Sequence, residues 1–242
     1  MMTGTDWRRA LRLGDEEMPE LVVLEGTWWE AERTAERLAV LDDARALPFP
    51  GWHLGRWHDR PVAYCTAYGA ARAVEPVHVL GTVGCPRFVQ IGSCGSLSPD
   101  VRTGDVVVPA VATIGEGASQ YYGGAGVAHP DPTLADALAV AWAERGATVH
   151  RGLHVTTSAL LNQPPDLVAR WQAGGHLAVD LETSAVLSAA AWAGARAAAT
   201  MFVWDELVHD RSWLDPFPPA ERAAQRRAEH ALFEVALAAL DA

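Results

Sequence analysis

Apolar and polar positions along this chain switch repeatedly between a strand-like and a helix-like period. Leu21-Val22-Val23-Leu24 is a short apolar run closed by Gly26, the pattern of a strand buried on both faces. Glu30 to Leu41 follows with good helix formers and i,i+3 charge pairs, Glu30 with Arg33 and Arg33 with Glu36. Trp52 to Tyr68 predicts a hairpin turning at His58-Asp59, and Ala71 to Leu80 a helix that contains Pro76. Phe88-Val89-Gln90-Ile91-Gly92 reads as a second buried strand running into a glycine turn, Gly92-Ser93-Cys94-Gly95-Ser96. A turn at Thr103-Gly104-Asp105 precedes a strand over Val106–Pro109. Helices are then expected over Pro130–Arg145, Asp166–Ala173, Leu181–Ala193 and Pro219–Leu240, with strands over Ala147–Thr156 and Ala197–Val203. Strands alternating with helices predict an α/β sheet covered on both faces. Repeats and Gly/Ser linkers are absent, so residues 19–242 are expected to form one domain behind a polar arm, residues 1–18.

The formal net charge of -11 excludes the basic face that a phosphate-tracking nucleic-acid binder presents. The 19 Lys+Arg residues are all arginine, so a site that holds an anion by a fixed side-chain charge must use Arg. The three cysteines, Cys65, Cys85 and Cys94, form no CxxC pair and an odd count, which fits free thiols in a reducing compartment. The first twenty residues contain no apolar core of signal-peptide length, and no stretch approaches about 18 uncharged apolar residues. A cytoplasmic protein without membrane or nucleic-acid partners is the expectation. His53, His58, His150 and His154 are scattered without HxH or HExxH spacing, so no metal site is expected.

Ligands in open α/β folds sit at the carboxyl ends of strands, and three such ends here carry unusual residues. Glycines in Gln90-Ile91-Gly92-Ser93-Cys94-Gly95-Ser96 let backbone N–H groups approach an anion, and Ser93 adds a hydroxyl; a plain tight turn reads equally well. In Val179-Asp180-Leu181-Glu182-Thr183, two carboxylates bracket an apolar residue ahead of the Ala-rich helix. They either complement the helix dipole or, as an unpaired carboxylate in apolar surroundings suggests for Glu182, accept hydrogen bonds from a ligand. Asp205 directly follows a buried strand in Phe202-Val203-Trp204-Asp205-Glu206, where it serves as a proton donor or as a helix cap. Trp28-Trp29 suits packing, a substrate wall or a subunit interface, and Glu116-Gly117-Ala118-Ser119-Gln120-Tyr121-Tyr122 reads as a flexible loop from which Tyr121 or Tyr122 could cap a ligand.

In order and spacing, FVQIGSCGSLSPDVRTGDVVVP, GEGASQYY and AVDLETSAVLSAAAWAGARAAATMFVWDEL resemble the nucleoside phosphorylase superfamily. That superfamily comprises hexameric purine nucleoside phosphorylases, uridine phosphorylases and methylthioadenosine/adenosylhomocysteine nucleosidases. The resemblance runs from about Leu21 to the end of the chain. It implies a three-layer α/β/α fold with a mixed central sheet, a homo-oligomer (dimer or hexamer), a nucleoside as small-molecule partner, and no cofactor, with phosphate as co-substrate in a phosphorylase. By this resemblance Gly92 and Ser93 bind phosphate, Glu182 grips the ribose 2′- and 3′-hydroxyls, and Asp205 protonates N7 of a departing purine. Leu181 stands for the usual methionine beneath the sugar, Asp180 for a glutamate, and Leu161 for an aromatic that stacks on the base. Tyr68 and Gln90 complete the expected substrate contacts.

Two phosphate arginines of the pattern are replaced. Arg-x-Gly-Ser/Thr is here Gln90-Ile91-Gly92-Ser93, and Gly-Asp-Pro-x-Arg is Gly26-Thr27-Trp28-Trp29-Glu30. Each lost arginine removes charge-assisted hydrogen bonds of roughly 1.5–3 kcal/mol, which Arg45, Arg72 or a neighbouring subunit would have to supply. The nucleosidase branch instead carries a glutamate-rich turn at this place, one of whose glutamates activates water. With Glu25, Glu30 and Glu32 here, Glu30 is the expected base, Glu32 the next choice, and hydrolysis of a purine-type nucleoside the favoured reaction. Phosphorolysis is the alternative, and a non-catalytic nucleoside-binding member of the family a further one.

Overall fold

In the computed structural model, which describes residues 2–209 and 214–242, the chain alternates strands and helices around one mixed ten-stranded sheet. The order is α1 Gly4–Leu11, β1 Leu21–Gly26, α2 Glu30–Leu38, β2 Asp42–Ala46, β3 Trp52–Trp57, β4 Arg60–Thr66 and α3 Ala70–Val83. There follow β5 Arg87–Ser96, β6 Val106–Gly115, β7 Val127–Ala128, α4 Pro132–Glu144, β8 Val149–Thr157 and α5 Pro165–Ala173. The chain ends with β9 Ala178–Asp180, α6 Thr183–Trp192, β10 Arg196–Glu206 and α7 Pro219–Leu237.

Alternate side chains of β1 feed two cores. Val22 and Leu24 join residues of α1, α3 and α6 on one face, while Leu21 and Val23 join α4 and α7 on the other. The polar arm is therefore part of the packed structure: α1 is closed by a Thr3–Asp6 capping box and buries Leu11 against the first core.

The sheet closes on itself over part of its width. β5 pairs with β10, which pairs with β6, then β8, then β9, and β9 returns to β5; β1, β4, β3 and β2 extend outward from β5. Cys94, Val107, Met201 and Val203 form a separate apolar cluster in this closed part. Closure accounts for the strands that run further than their apolar patterns. β5 does not turn at Gly92 but continues to Ser96, because β10 accompanies it from Arg87 to Ser96. β6 passes Pro109 by a bulge between Pro109 and Val111. β9, only three residues long, and β2 carry no periodic signal of their own.

Candidate active site

β5 holds the geometric origin of the site. Its pairing with β1 ends at Gly92, and its pairing with β9 begins at Gly95. Between those two neighbours Ser93 and Cys94 pair with neither strand, and the carboxyl ends of β1 and β9 approach this gap from opposite sides. A cavity of about 430 Å3 occupies this gap, at the carboxyl ends of β1, β5, β9 and β10. Ser93, Leu181, Glu182 and Asp205 all line it.

The β9–α6 corner is held by a dense hydrogen-bond network within the chain. The Asp180 carboxylate is buried and accepts from Thr156 Oγ1 (2.8 Å) and His154 Nε2 (3.0 Å) on one oxygen. On the other it accepts from the Thr183 N–H (2.8 Å), the Thr183 hydroxyl (2.6 Å) and the Glu182 N–H (3.2 Å). Thr156 Oγ1 in turn accepts from the Ser184 N–H at 2.9 Å, so the side chains of Asp180 and Thr156 together cap α6. Burial opposes ionisation of Asp180, but the His154 imidazole and these donors outweigh it and hold the carboxyl below its ordinary value.

Two residues on, Glu182 has the opposite environment. It too is buried, and its Oε1 accepts from the Gly69 N–H at 2.6 Å. Burial, followed by the Asp180 charge, pushes its pKa up to about 8. The carboxylate packs directly on Gly26, where an added Cβ would lie 2.6 Å from its Cδ. Burial and the neighbouring Glu182 raise the Tyr68 hydroxyl to about 12. Adjacent acids pushed apart in this way suit distinct roles, a permanent anion that fixes the helix and a poised carboxylate that faces the cavity.

Asp205 lies within β10 rather than beyond it. The ladder with β5 shifts between Val203 and Asp205, leaving Trp204 as the extra residue of a β-bulge. Asp205 is thereby set opposite Gly95, where a Cβ would stand 3.1 Å from its Oδ1. Both glycines of the Gly92–Gly95 stretch thus make room within a strand: a Cβ at Gly92 would lie 3.1 Å from the Gly26 carbonyl oxygen. Across the cavity, Trp29 stacks on Trp204 with centroids 5.6 Å apart, and Trp28 packs on Tyr68 at 5.5 Å. Trp28 and Trp29 are each 45% exposed, so they form the cavity wall more than the core.

A model of the phosphorylase superfamily matches residues 52–240. The chain belongs to that superfamily. A guanosine phosphorylase from Halorubrum lacusprofundi is 32% identical over 144 residues, 59% of this chain and 60% of that protein. A DeoD-type purine nucleoside phosphorylase from Jannaschia sp. is 26% identical over 76% of this chain and 79% of its own length. A uridine phosphorylase from Thermococcus kodakarensis is 26% identical, with 64% of this chain matched to 56% of that protein. The matched stretches thus span a little over half to about four fifths of these three relatives. A solved uridine phosphorylase from Vibrio fischeri ES114 superposes with a TM-score of 0.82, covering 97% of each chain at 18% identity, which shows the shared fold.

Most residues to which the superfamily pattern gives a role meet in the cavity: Gly92, Ser93, Asp180, Leu181, Glu182 and Asp205, with Tyr68 and Leu161. Gln90 does not. It is buried beneath, its Nε2 donating to the Ile91 carbonyl oxygen and its Oε1 lying 2.9 Å from Thr183 Oγ1, and so sits between β5 and α6. Glu30 and Glu32 are exposed in the first turn of α2 and are absent from the described cavity lining. Glu25 lines the cavity, but its carboxylate is taken by the Arg37 guanidinium (3.0 Å to each oxygen) and by the Tyr64 hydroxyl (2.8 Å).

The loop expected to cap the ligand is pinned elsewhere. Glu116 accepts from the Ser119 hydroxyl and from Ser184 Oγ (2.9 Å), Tyr122 packs on His78 and Trp192, and Tyr121 is 89% exposed. Arg45 pairs with Glu17 and Arg72 with Glu75, both outside the cavity lining. The cation among the described lining residues is Arg33, paired with Glu36 and with Glu229 of α7. Its i,i+3 spacing to Glu36 reads as a surface pair; the packing of α7 over α2 makes it part of the site. Among the described residues no group of three or more His, Cys, Asp and Glu side chains could hold a metal, and no helix is long and apolar enough to cross a membrane.

Proposed function

We propose that this chain cleaves the N-glycosidic bond of a purine-type nucleoside by phosphorolysis. One observation carries the reading: Ser93, Glu182 and Asp205, from three separate strand ends, line a single cavity with room for a small ligand. In its ionised form Glu182 accepts hydrogen bonds from the ribose 2′- and 3′-hydroxyls over the apolar floor of Leu181. Asp205 in its acid form donates a proton to N7 of the base. A phosphate oxygen, held at Ser93, forms a bond to C1′ as the C1′–N9 bond breaks through an oxocarbenium-like state. The bonding pair goes to the base, which leaves neutral, and ribose 1-phosphate is the second product. Hydrolysis, favoured on sequence grounds, required a glutamate of the β1–α2 segment to activate water. Glu30 and Glu32 face solvent, Glu25 is occupied by Arg37 and Tyr64, and the relatives named above are phosphorylases, all of which favours phosphorolysis.

The test is release of free base from guanosine, inosine and uridine with and without inorganic phosphate. Phosphate-dependent release, with ribose 1-phosphate formed in equal amount, is expected from the purine nucleosides. Equal release in phosphate-free buffer would overturn the reading in favour of hydrolysis. Replacing the proton donor, Asp205→Asn, should slow purine release by about 100-fold or more while leaving nucleoside binding in place, and unchanged turnover would remove it from the mechanism.

A further inference from the structure

The geometry points to Arg33 as the residue that holds the anionic co-substrate, with Glu229 as an internal carboxylate that the anion displaces. The inference rests on the phosphorolytic reading and names the cation that reading needs. Five acidic side chains line the cavity, Glu25, Asp180, Glu182, Asp205 and Glu229, and Glu25, Asp180 and Glu229 are held there as the anions of ion pairs. A phosphate dianion entering such a space is repelled unless a fixed cation faces it, and charges in a partly enclosed site are poorly screened. The chain offers only arginine for this, and Arg33 is the cation of the described lining.

Its position suits the task. Arg33, one turn into α2, lines the same cavity as Gly26 at the end of β1. Gly26 there pairs with Gly92, the residue before Ser93. The same helix begins at Trp29, whose side chain makes no cap and whose N–H is taken by Thr27 Oγ1 (3.1 Å), so a ligand at this corner meets the guanidinium and the N–H groups that follow Trp29. Glu36 binds one terminal nitrogen, Nη1, at 2.9 Å from the outer side. Glu229 binds the other, Nη2, as an anion already in place.

Exchange needs little rearrangement. The Glu229 backbone is held independently, its carbonyl oxygen accepting from Arg37 Nη2 at 3.1 Å. Only the Glu229 side chain has to turn away, while Glu36 keeps the guanidinium oriented. A bidentate Arg–phosphate contact then replaces an Arg–carboxylate contact, and phosphate affinity is set by competition between the two.

Steady-state kinetics with phosphate and nucleoside varied separately, together with thermal melts in inorganic phosphate, test this. Arg33→Gln should raise the KM for phosphate by about tenfold to a hundredfold, the loss expected for a charge-assisted hydrogen bond, with the nucleoside KM little changed. Arg33→Lys should recover part of it. Glu229→Gln, which leaves Arg33 in place, should lower the phosphate KM and enlarge the phosphate-induced rise in Tm, while Arg33→Gln should abolish that rise. Phosphate-dependent turnover that survives Arg33→Gln with an unchanged phosphate KM would sink the Arg33 assignment alone. An unchanged or higher phosphate KM in Glu229→Gln would sink the competition. Base release that needs no phosphate in the unmodified protein would sink the phosphorolytic reading, and the inference with it.

Discussion

Two helices begin at the cavity, and their first turns are built on opposite principles. At α6 the N–H groups of Glu182, Thr183 and Ser184 are taken by the side chains of Asp180 and Thr156, which His154 and Thr183 further fix. At α2 the Thr27 hydroxyl takes only the Trp29 N–H (3.1 Å), and among the described residues no side chain takes the N–H groups of Glu30, Ala31 or Glu32; the N-cap position is Trp29, half-exposed and stacked on Trp204. A turn whose donors are all used internally cannot bind a ligand through its backbone, but it can hold one side chain, here Glu182, in a fixed place. A turn with only its first N–H taken leaves the following donors for something that arrives from outside. The first corner therefore suits sugar hydroxyls, which need a positioned acceptor, and the second an anion.

The harshest way to break this contrast is to remove the anchor of the closed corner. Asp180→Ala deletes a buried charge with five hydrogen-bond partners and strands His154, Thr156 and the α6 N–H groups in a dry interior. A loss of about 3–5 kcal/mol in unfolding free energy is expected, the range for breaking a buried pair by removing one member, read by denaturant or thermal melts. A loss below about 1 kcal/mol would mean that water enters and replaces the carboxylate.

Glu182→Gln separates holding from folding. It keeps the volume and the acceptor for the Gly69 N–H but removes the charge that strengthens bonds from ribose hydroxyls. A fall in kcat/KM for the nucleoside of about tenfold to a hundredfold is expected, with the fold intact by circular dichroism and melting. Activity within twofold of the unmodified protein would place the sugar elsewhere.

How much of this is legible in the sequence follows the same division. Ser93, Leu181, Glu182 and Asp205 are legible because each belongs to a run of residues at a strand end, and the runs occur in a fixed order. What makes them a site is not. The gap at Ser93-Cys94 exists because β1 stops and β9 starts on the same side of β5, and β9 has only three residues, too few for any periodicity. The Gly92–Gly95 stretch reads as a turn from composition; closure of the ring keeps it extended. The choice between Glu30 and Arg33 depends on the roll of α2. Three residues separate them by about 60° around the helix, so either can face the cavity, and the packing of α7, some 190 residues away, decides (Arg33 and Glu229 are 196 apart).

At the open corner, substitutions should be mild by comparison. Trp29→Ala removes a stacked ring that is already 45% exposed, so a stability loss of about 1 kcal/mol is expected, of the order of one aromatic pair. A loss approaching that of Asp180→Ala would show that Trp29 belongs to the core and that the corner is not open.

The subtlest expectation concerns protons. The empty site holds Glu182 protonated up to about pH 8, while ribose hydroxyls prefer the ionised form. Nucleoside binding near pH 7 should therefore release a proton, and affinity should rise by about fivefold from pH 7 to pH 8 and level off above, as the ionised fraction does. The folded state also keeps this proton more tightly than the unfolded chain, whose carboxyl titrates near 4.5. Glu182 thus favours the fold most below that value, and its contribution is lost as pH rises toward about 8, the reverse of the usual carboxylate. Calorimetry in buffers of different ionisation enthalpy measures the released proton. Asp180→Asn sharpens the point, because it removes the second cause of the raised value and leaves burial, the first. The midpoint should move below 8 without reaching the unfolded value, whereas a midpoint that stays put would mean that burial alone sets the titration of Glu182 and that the two carboxylates at this corner act independently.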